Sequence, residues 1–414
     1  MAEHGADFIQ EPARRLPVWG RYDVVVAGGG IAGVAAAVAA ARNGATVCLL
    51  EKESALGGLA TLGIVTVWLP LCDGRGRQVI GGLGEELLRL SVADLRRDHK
   101  TARWSGVPAC WEPDGDPDER QRVRYVASFN PTAYLLALER LMIDAGVELL
   151  YDTRVCAVRR QGDRISHVVV ENKGGRGALA CGAVVDATGD ADVCHLAGEA
   201  TESLDTNVLS GWFYALRDDG LHLHPLSHRF SRTAGRDDAE GPFYRGDDGK
   251  QVTQQILGSR ELIRERLAAL REERPEEDVQ PVGVPTIACL RMTRRLVGMA
   301  TLTAADDHRW QEDAVGLTGD WRQPGPVYAL PWGALRGVRN RNLLAAGRCI
   351  SADSSVWDVT RVIPPCAVTG QAAGTAAALA ARETAGDLSR LPVGALQRRL
   401  VAQGVLLERG LVEG

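Results

Sequence analysis

Three groups of residues have types and spacings that do chemistry. The first is Gly28-x-Gly30-x-x-Gly33, set between an apolar run ending at Ala27 and an alanine-rich run beginning at Ile31. Glycines at this spacing make a tight turn, admit an anion close to the backbone and let a helix pack on a strand. The helix N-terminus then offers free N–H groups and the positive end of its dipole to phosphates. Glu51, followed by Lys52, stands where an acid hydrogen-bonds a ribose hydroxyl. The second group is cationic: Arg291, Arg294 and Arg295 in "LRMTRRLVG", and Arg361 in "DVTRVIPP". A planar, permanently charged guanidinium suits a substrate carboxylate. The third is "GLHLHPLSHRF", where His222 and His224 share a strand face and His228 follows. His224 is read as a general base or substrate hydrogen bond. No acids stand nearby at ligand spacing, so no metal is expected.

Elements that position these groups follow from hydrophobic pattern. Residues 22–27 read as a buried parallel strand and 31–42 as a helix. A turn at Asn43 and Gly44 leads to a second strand ending at Glu51, which completes a βαβ unit. Residues 55–85 are glycine-rich and irregular. Helices are expected at 83–98 and 131–145, and strands through "VELLYDTRVCAVRRQGDRISHVVVEN" and "ALACGAVVDATGD". Between 205 and 330 this rhythm gives way to aromatic-bearing strands and two polar loops, 231–251 and 271–285. Both read as solvated connections, the first long enough for a lid. Residues 342–349 return to a strand and 366–382 to a small-residue helix. The fold class expected is therefore α/β. A Rossmann-like domain is assembled from both ends of the chain, 1–204 and 326–414, with an inserted mixed α+β substrate domain at 205–325.

Composition narrows the partners. The chain has 414 residues and a net charge of −5, with arginines scattered rather than clustered, so no nucleic acid is expected. Its longest apolar run, 31–41, falls short of the ~18–20 residues that span a bilayer. The N-terminus has no signal-peptide core, so no membrane partner is expected. Nine cysteines, an odd number without a C-x-x-C pair, read as reduced thiols in a cytoplasmic protein.

Further segments sharpen the nucleotide site. "GGLAT" follows Glu51, "DATGDADV" ends a strand, and "NLLAAGRCISADSSVWDVTRVIPPCAVTGQAAGTAAALA" lies near the C-terminus. With these, "LRMTRRLVG" and "VYALPWGALRG", the sequence resembles the FAD-dependent oxidoreductases of the glutathione-reductase and succinate-dehydrogenase-like superfamily. It is similar, more closely, to a bacterial family described as FAD-dependent oxidoreductases. The resemblance covers both ends of the chain and little of the middle.

That resemblance implies an FAD-binding role for the Rossmann-like domain. Gly28, Gly30, Ile31, Ala32 and Gly33 would form the pyrophosphate loop, and Glu51 with Lys52 would bind the adenosine ribose. Ala187, Thr188 and Gly189 would run beside the adenosine–pyrophosphate half, and the Val155 backbone would meet adenine. Gly57 and Gly58 would pass close to the cofactor. Leu59, Ala60 and Thr61 follow where some relatives carry a histidine that attaches FAD, so the FAD is expected to be non-covalent. Gly347 and Asp353 would lie near the ribitol and flavin, although Arg348 stands where relatives carry an acid. The helix that includes Thr369 and Gly370 would aim its N-terminus at the flavin, where a positive dipole end stabilises the anionic reduced ring. Arg361 matches the place of a carboxylate-gripping arginine in fumarate-reductase relatives.

A single dinucleotide fingerprint and no C-x-x-C pair argue against a pyridine-nucleotide disulfide reductase. The expected activity is that of a dehydrogenase or oxidase. A small organic, possibly carboxylate-bearing, substrate gives a hydride to FAD, and electrons pass to oxygen or another acceptor. Arg361, Arg291 and His224 are the expected catalytic residues. Two other readings share the nucleotide fold: an FAD-dependent monooxygenase accepting NAD(P)H, and an FAD-binding electron-relay subunit of a complex.

Overall fold

A computed structural model describes residues 9–95, 104–229 and 241–414. Its central sheet grows from the β-branched run at 24–27, whose side chains are almost wholly excluded from solvent on both faces. The strand is longer than expected, Val18–Ala27, because its first residues pair with 178–181. From one edge the parallel order is Glu148–Leu150, Val47–Leu50, Val18–Ala27 and Gly175–Asp186. The last of these strands forks. Its first half pairs antiparallel with Arg164–Asn172, which pairs in turn with Arg154–Gln161. Its last three residues pair in parallel with Leu343–Ala345, from the far end of the chain. The Rossmann-like sheet is thus built from two separated segments. The carboxyl ends of its strands, at Ala27, Leu50, Asp186 and Ala345, share one edge, where ligands of such sheets bind.

Two small-residue helices cover this sheet, Ile31–Arg42 and Ile363–Glu383. Their backbones touch. A Cβ on Gly370 would overlap the Ala32 carbonyl, and one on Gly374 the Ala36 carbonyl. The second helix starts earlier than expected because Pro364 and Pro365 occupy its first turn, where no N–H is needed. The helix expected at 83–98 is observed as Leu83–Val92, and residues 96–98 lie outside the described ones. The other, expected at 131–145, runs Pro131–Asp144 and is capped by Asn130, whose Oδ1 accepts from Thr132 N at 3.0 Å.

The inserted region holds a three-stranded antiparallel sheet, with Phe213–Arg217 between Gly220–His224 and Gln280–Gly283. Helix Gly249–Glu273 covers it, capped by Asp248, whose Oδ1 accepts from Lys250 N and Gln251 N at 2.9 Å. The expected 231–251 loop therefore ends in this helix, and its residues 231–240 lie outside the described ones. Phe213, Ala215, Ile263, Leu270 and Val279 form a separate small core. Residues such as Leu302, Val315 and Leu317 join the main core instead. Residues of the expected 205–325 insertion thus enter both cores. Among the described residues no helix is long and apolar enough to cross a membrane.

Backbone contact between the two helices leaves no room for a side chain at Gly374. Gly374→Leu is expected to lower stability by about 1–3 kcal/mol or more, read from the urea midpoint of the apoprotein. Gly410→Ala, where an added Cβ meets nothing within 4 Å, is expected to shift it by less than about 0.5 kcal/mol.

Candidate functional site

The three glycines of the first loop occupy three different environments. Gly28 has φ +101°, and a Cβ there would meet the Ala187 carbonyl. A Cβ on Gly33 would overlap the Gly28 carbonyl, so the helix rests directly on the turn. Gly30 differs: a Cβ there meets nothing within 4 Å. Gly30 is also the N-cap of Ile31–Arg42, with no side-chain cap and no acid in the first turn. The helix thus presents unpaired N–H groups and its positive end to open space.

Around this opening the chain folds back repeatedly. Glu51 is only 7% exposed, accepting at Oε2 from Gly29 N at 2.6 Å and at Oε1 from Glu53 N at 2.8 Å. Burial raises its pKa, and the two backbone donors oppose that shift. Gly57 N donates to Gly29 O at 2.8 Å, which lays Gly57 and Gly58 alongside Gly30. Thr61 Oγ1 closes that turn by donating to Leu56 O at 2.5 Å. On the other side, Ala187 N donates to Ala27 O at 2.8 Å. Below it the fully buried Asp186 accepts from Thr188 Oγ1 at 2.7 Å and from Cys194 N at 2.8 Å, which fixes the 187–189 loop.

The space so enclosed is a cavity of about 510 Å³, within the range of small-molecule sites. Many residues singled out from sequence line it: Gly28, Gly30, Ile31 and Ala32 of the first loop, Glu51 and Lys52, residues 57–60, residues 187–189, Arg294 and Arg361. Other expected residues stand elsewhere. Gly33 lies beneath the loop. Val155 pairs with Val170 in the sheet, and its neighbour Arg154 lines the wall instead. Gly347 N donates to Thr369 Oγ1 at 2.9 Å, and a Cβ on Gly347 would meet Ala32 at 2.6 Å. Gly347, Thr369 and Gly370 therefore lock the two helices together behind the wall.

Two more expected residues stand outside the cavity wall. Asp353, expected near the ribitol, instead accepts from Ser355 N at 2.9 Å and from Ser355 Oγ at 2.5 Å, and its carbonyl accepts from Trp357 N at 2.8 Å. It braces the turn leading into the short helix Trp357–Thr360, outside the cavity wall. His224, expected as a base, stacks on Phe213 with ring centroids 4.9 Å apart in the inserted sheet, also outside the wall. Among the described residues no group of three or more side chains is arranged to hold a metal.

The arginines separate by partner. Arg348 donates at 2.8 Å three times, to Gly189 O, Leu290 O and Asp190 Oδ1, and clamps three chain segments. Arg294 donates to Asp190 O at 2.8 Å and to Asp192 Oδ1 at 2.5 Å. Arg295 pairs with Glu202, away from the cavity. Arg361 donates from Nε at 2.8 Å and Nη2 at 2.6 Å to the same Asp358 oxygen. Arg291, next to Leu290 of the wall, donates to Ser227 Oγ at 2.5 Å and has no ion-pair partner among the described residues. Desolvation first, and the Arg361 charge second, push its guanidinium down to about 10. Cys366 lines the same end of the cavity, and burial pushes its thiol up to about 12, so it is no thiolate.

Residues missed from sequence complete the far wall: Gly246, Asp247, Val252 and Ile256 from the inserted unit, and 286–288 from the returning chain. These segments carry no local motif. For Arg154 a signal existed, since it precedes Val155 on the same strand.

An uncapped helix N-terminus facing open space, a buried acid one turn away and a glycine pair alongside fit a dinucleotide. The profile of the family described as FAD dependent oxidoreductase matches residues 23–207 and 238–400. The chain belongs to that family. It is an FAD-dependent enzyme, and FAD is its cofactor. The chain is also similar to a geranylgeranyl bacteriochlorophyll reductase-like protein from Thermoplasma acidophilum, at 11% identity and TM-score 0.46, over 95% of this chain and 90% of that one. It is similar to p-nitrophenol 4-monooxygenase from Pseudomonas putida DLL-E4, at 11% identity and TM-score 0.47, over 93% and 85%. A third likeness is to a flavocytochrome c3 fumarate reductase, at 14% identity and TM-score 0.44, over 88% and 79%. No curated protein matches the chain.

The glycine environments separate binding from folding. Gly30→Val is expected to leave apoprotein stability within about 0.5 kcal/mol of wild type. It is expected to weaken FAD binding about tenfold or more, since the side chain enters the space a pyrophosphate needs. Gly33→Val is expected to damage both, as read by urea midpoint and flavin content.

Proposed function

We propose that this FAD-dependent oxidoreductase oxidises a small carboxylate-bearing organic substrate, which Arg361 and Arg291 receive at the C-terminal end of the cavity. When bound, FAD supplies the acceptor for the substrate's hydride. The N–H groups of the first helical turn would hold its pyrophosphate and Glu51 its ribose. The N-terminus of Ile363–Glu383 would face the flavin beside Leu59 and Ala60. No histidine stands among residues 57–61 to attach the ring, which supports non-covalent FAD. Electrons would leave to oxygen or another acceptor. Nine free cysteines support a cytoplasmic setting.

One observation carries the substrate reading. The Arg361 charge weighs on Arg291, and Asp358, the ion-pair partner of Arg361, is the single carboxylate that acts on Arg291. Two guanidiniums against one carboxylate leave one positive charge without a counter-ion. A desolvated cation of this kind is costly until an anion arrives. A substrate carboxylate meets the need through paired N–H donors. Arg361 lines the cavity and would touch the substrate, while Arg291 would supply the second donor from behind Leu290.

The test is anaerobic bleaching of the bound flavin by a panel of acids, alcohols and amines. A carboxylate is expected to bleach it without pyridine nucleotide. Arg361→Leu and Arg291→Leu are each expected to raise the half-saturating concentration about 30-fold or more, corresponding to about 2 kcal/mol or more, with flavin content unchanged. Bleaching by NAD(P)H alone, or unchanged saturation in both variants, would overturn the proposal.

A further inference from the structure

A second cavity, of about 390 Å³, lies against the first and shares two of its wall residues, Leu62 and Thr286. Thr286 N donates to Leu62 O at 3.0 Å, so the partition is one backbone hydrogen bond with the side chains beside it. The cleft is formed where residues 61–64, the start of helix Pro131–Asp144 and the inserted sheet meet.

Its wall differs in character from that of the cofactor cavity. Among the described residues that line it, Tyr214 alone is titratable, and the Tyr214 hydroxyl is already bonded to Thr66 Oγ1 and Trp104 Nε1, each at 3.1 Å. Trp104 and Tyr214 meet edge to face with ring centroids 6.3 Å apart. Leu135, Leu221 and Val284 add aliphatic surface, and Val284 stays 40% exposed. Asn130 spends its carbonyl oxygen on the helix cap, leaving its amide N–H groups as a polar donor of the site beside the hydroxyls of Thr132 and Thr286. Ile64, a β-branched residue at φ +57°, lines the cleft next to the partition. Such backbone conformations persist where surrounding structure enforces them, and they cluster at ligand clamps.

We propose that this cleft binds the uncharged, ring-containing body of the enzyme's substrate, placing its reacting end across Leu62 and Thr286 toward the flavin. The inference rests on the oxidoreductase reading, and names the substrate class more narrowly: a molecule with an apolar ring system attached to the oxidised group. Three features favour a small molecule over a protein segment. The volume lies in the small-ligand range, the wall carries two packed aromatic rings, and the cleft shares Leu62 and Thr286 with the cofactor cavity.

The experiment titrates the FAD-loaded protein with 2-naphthol, a neutral fused-ring probe, following the visible flavin spectrum and the heat of binding. Saturable binding to one site, with a perturbed flavin band, is expected. Gly283→Leu fills the cleft without a forced clash, because a Cβ at Gly283 makes only 3.7 Å contacts with Ile64 and Tyr214. It is expected to weaken 2-naphthol binding about tenfold or more while leaving FAD content unchanged. Trp104→Ala, which removes a ring face, is expected to act in the same direction. Arg291→Leu is expected to leave 2-naphthol binding unchanged. Failure of the carboxylate reading would therefore appear in the bleaching assay with this titration intact. No saturable binding to wild type, or equal binding by Gly283→Leu and Trp104→Ala, would overturn the inference.

Discussion

Backbone touching backbone is the constraint on which the rest of this structure depends. The helix Ile31–Arg42 rests on the turn at Gly28 through Gly33, and the helix Ile363–Glu383 rests on it through Gly370 and Gly374. No side chain fits at these crossings. Their closeness sets the height of the first helical turn above the sheet edge. It also leaves Gly30 as the one loop glycine facing open space. The electrostatics of the helix end act only over its first turn, so a helix held a side chain's width farther away would not present the same site. Small residues here serve position rather than flexibility.

Arg348 ties this frame to the inserted unit. Its three donors go to the 186–192 loop and to the chain returning at Leu290. Its own carbonyl accepts from Trp357 Nε1 at 2.6 Å, which secures the turn leading to Arg361. A carboxylate at this position would offer acceptors to Gly189 and Leu290 carbonyls, which are acceptors themselves. A cation here braces the cavity wall instead. Asp353 meanwhile holds the turn before Trp357–Thr360 through Ser355.

The legible parts of the molecule were those whose signal is local. The βαβ unit, the glycine turn inside it and the strand end at 184–186 each follow from a few adjacent residues, and the strand–helix rhythm reappearing at 342 pointed to a domain closed by the chain's other end. What escaped was set by long-range packing. His224 looked reactive in "GLHLH", but its fate was decided by Phe213 across a strand pair. Arg291, Arg294 and Arg295 are near neighbours in sequence. Strand pairing and turns send one to Ser227, one to Asp192 and one to Glu202. Walls contributed by Asp247, Val252 and 286–288 have no motif, because any compact chain can bring apolar and small residues there.

Charge and apolarity are kept apart in the two adjoining cavities. The first gathers ionised groups around a helix end, and the second carries none among its described residues. We propose that FAD sits on the open face of the first glycine loop. Hydrogen–deuterium exchange of the protein with and without FAD tests it most directly. FAD is predicted to protect the amides of 30–32, 57–60 and 187–189 together, since these segments share one wall. FAD bound at full occupancy with unchanged exchange in those segments would contradict the account.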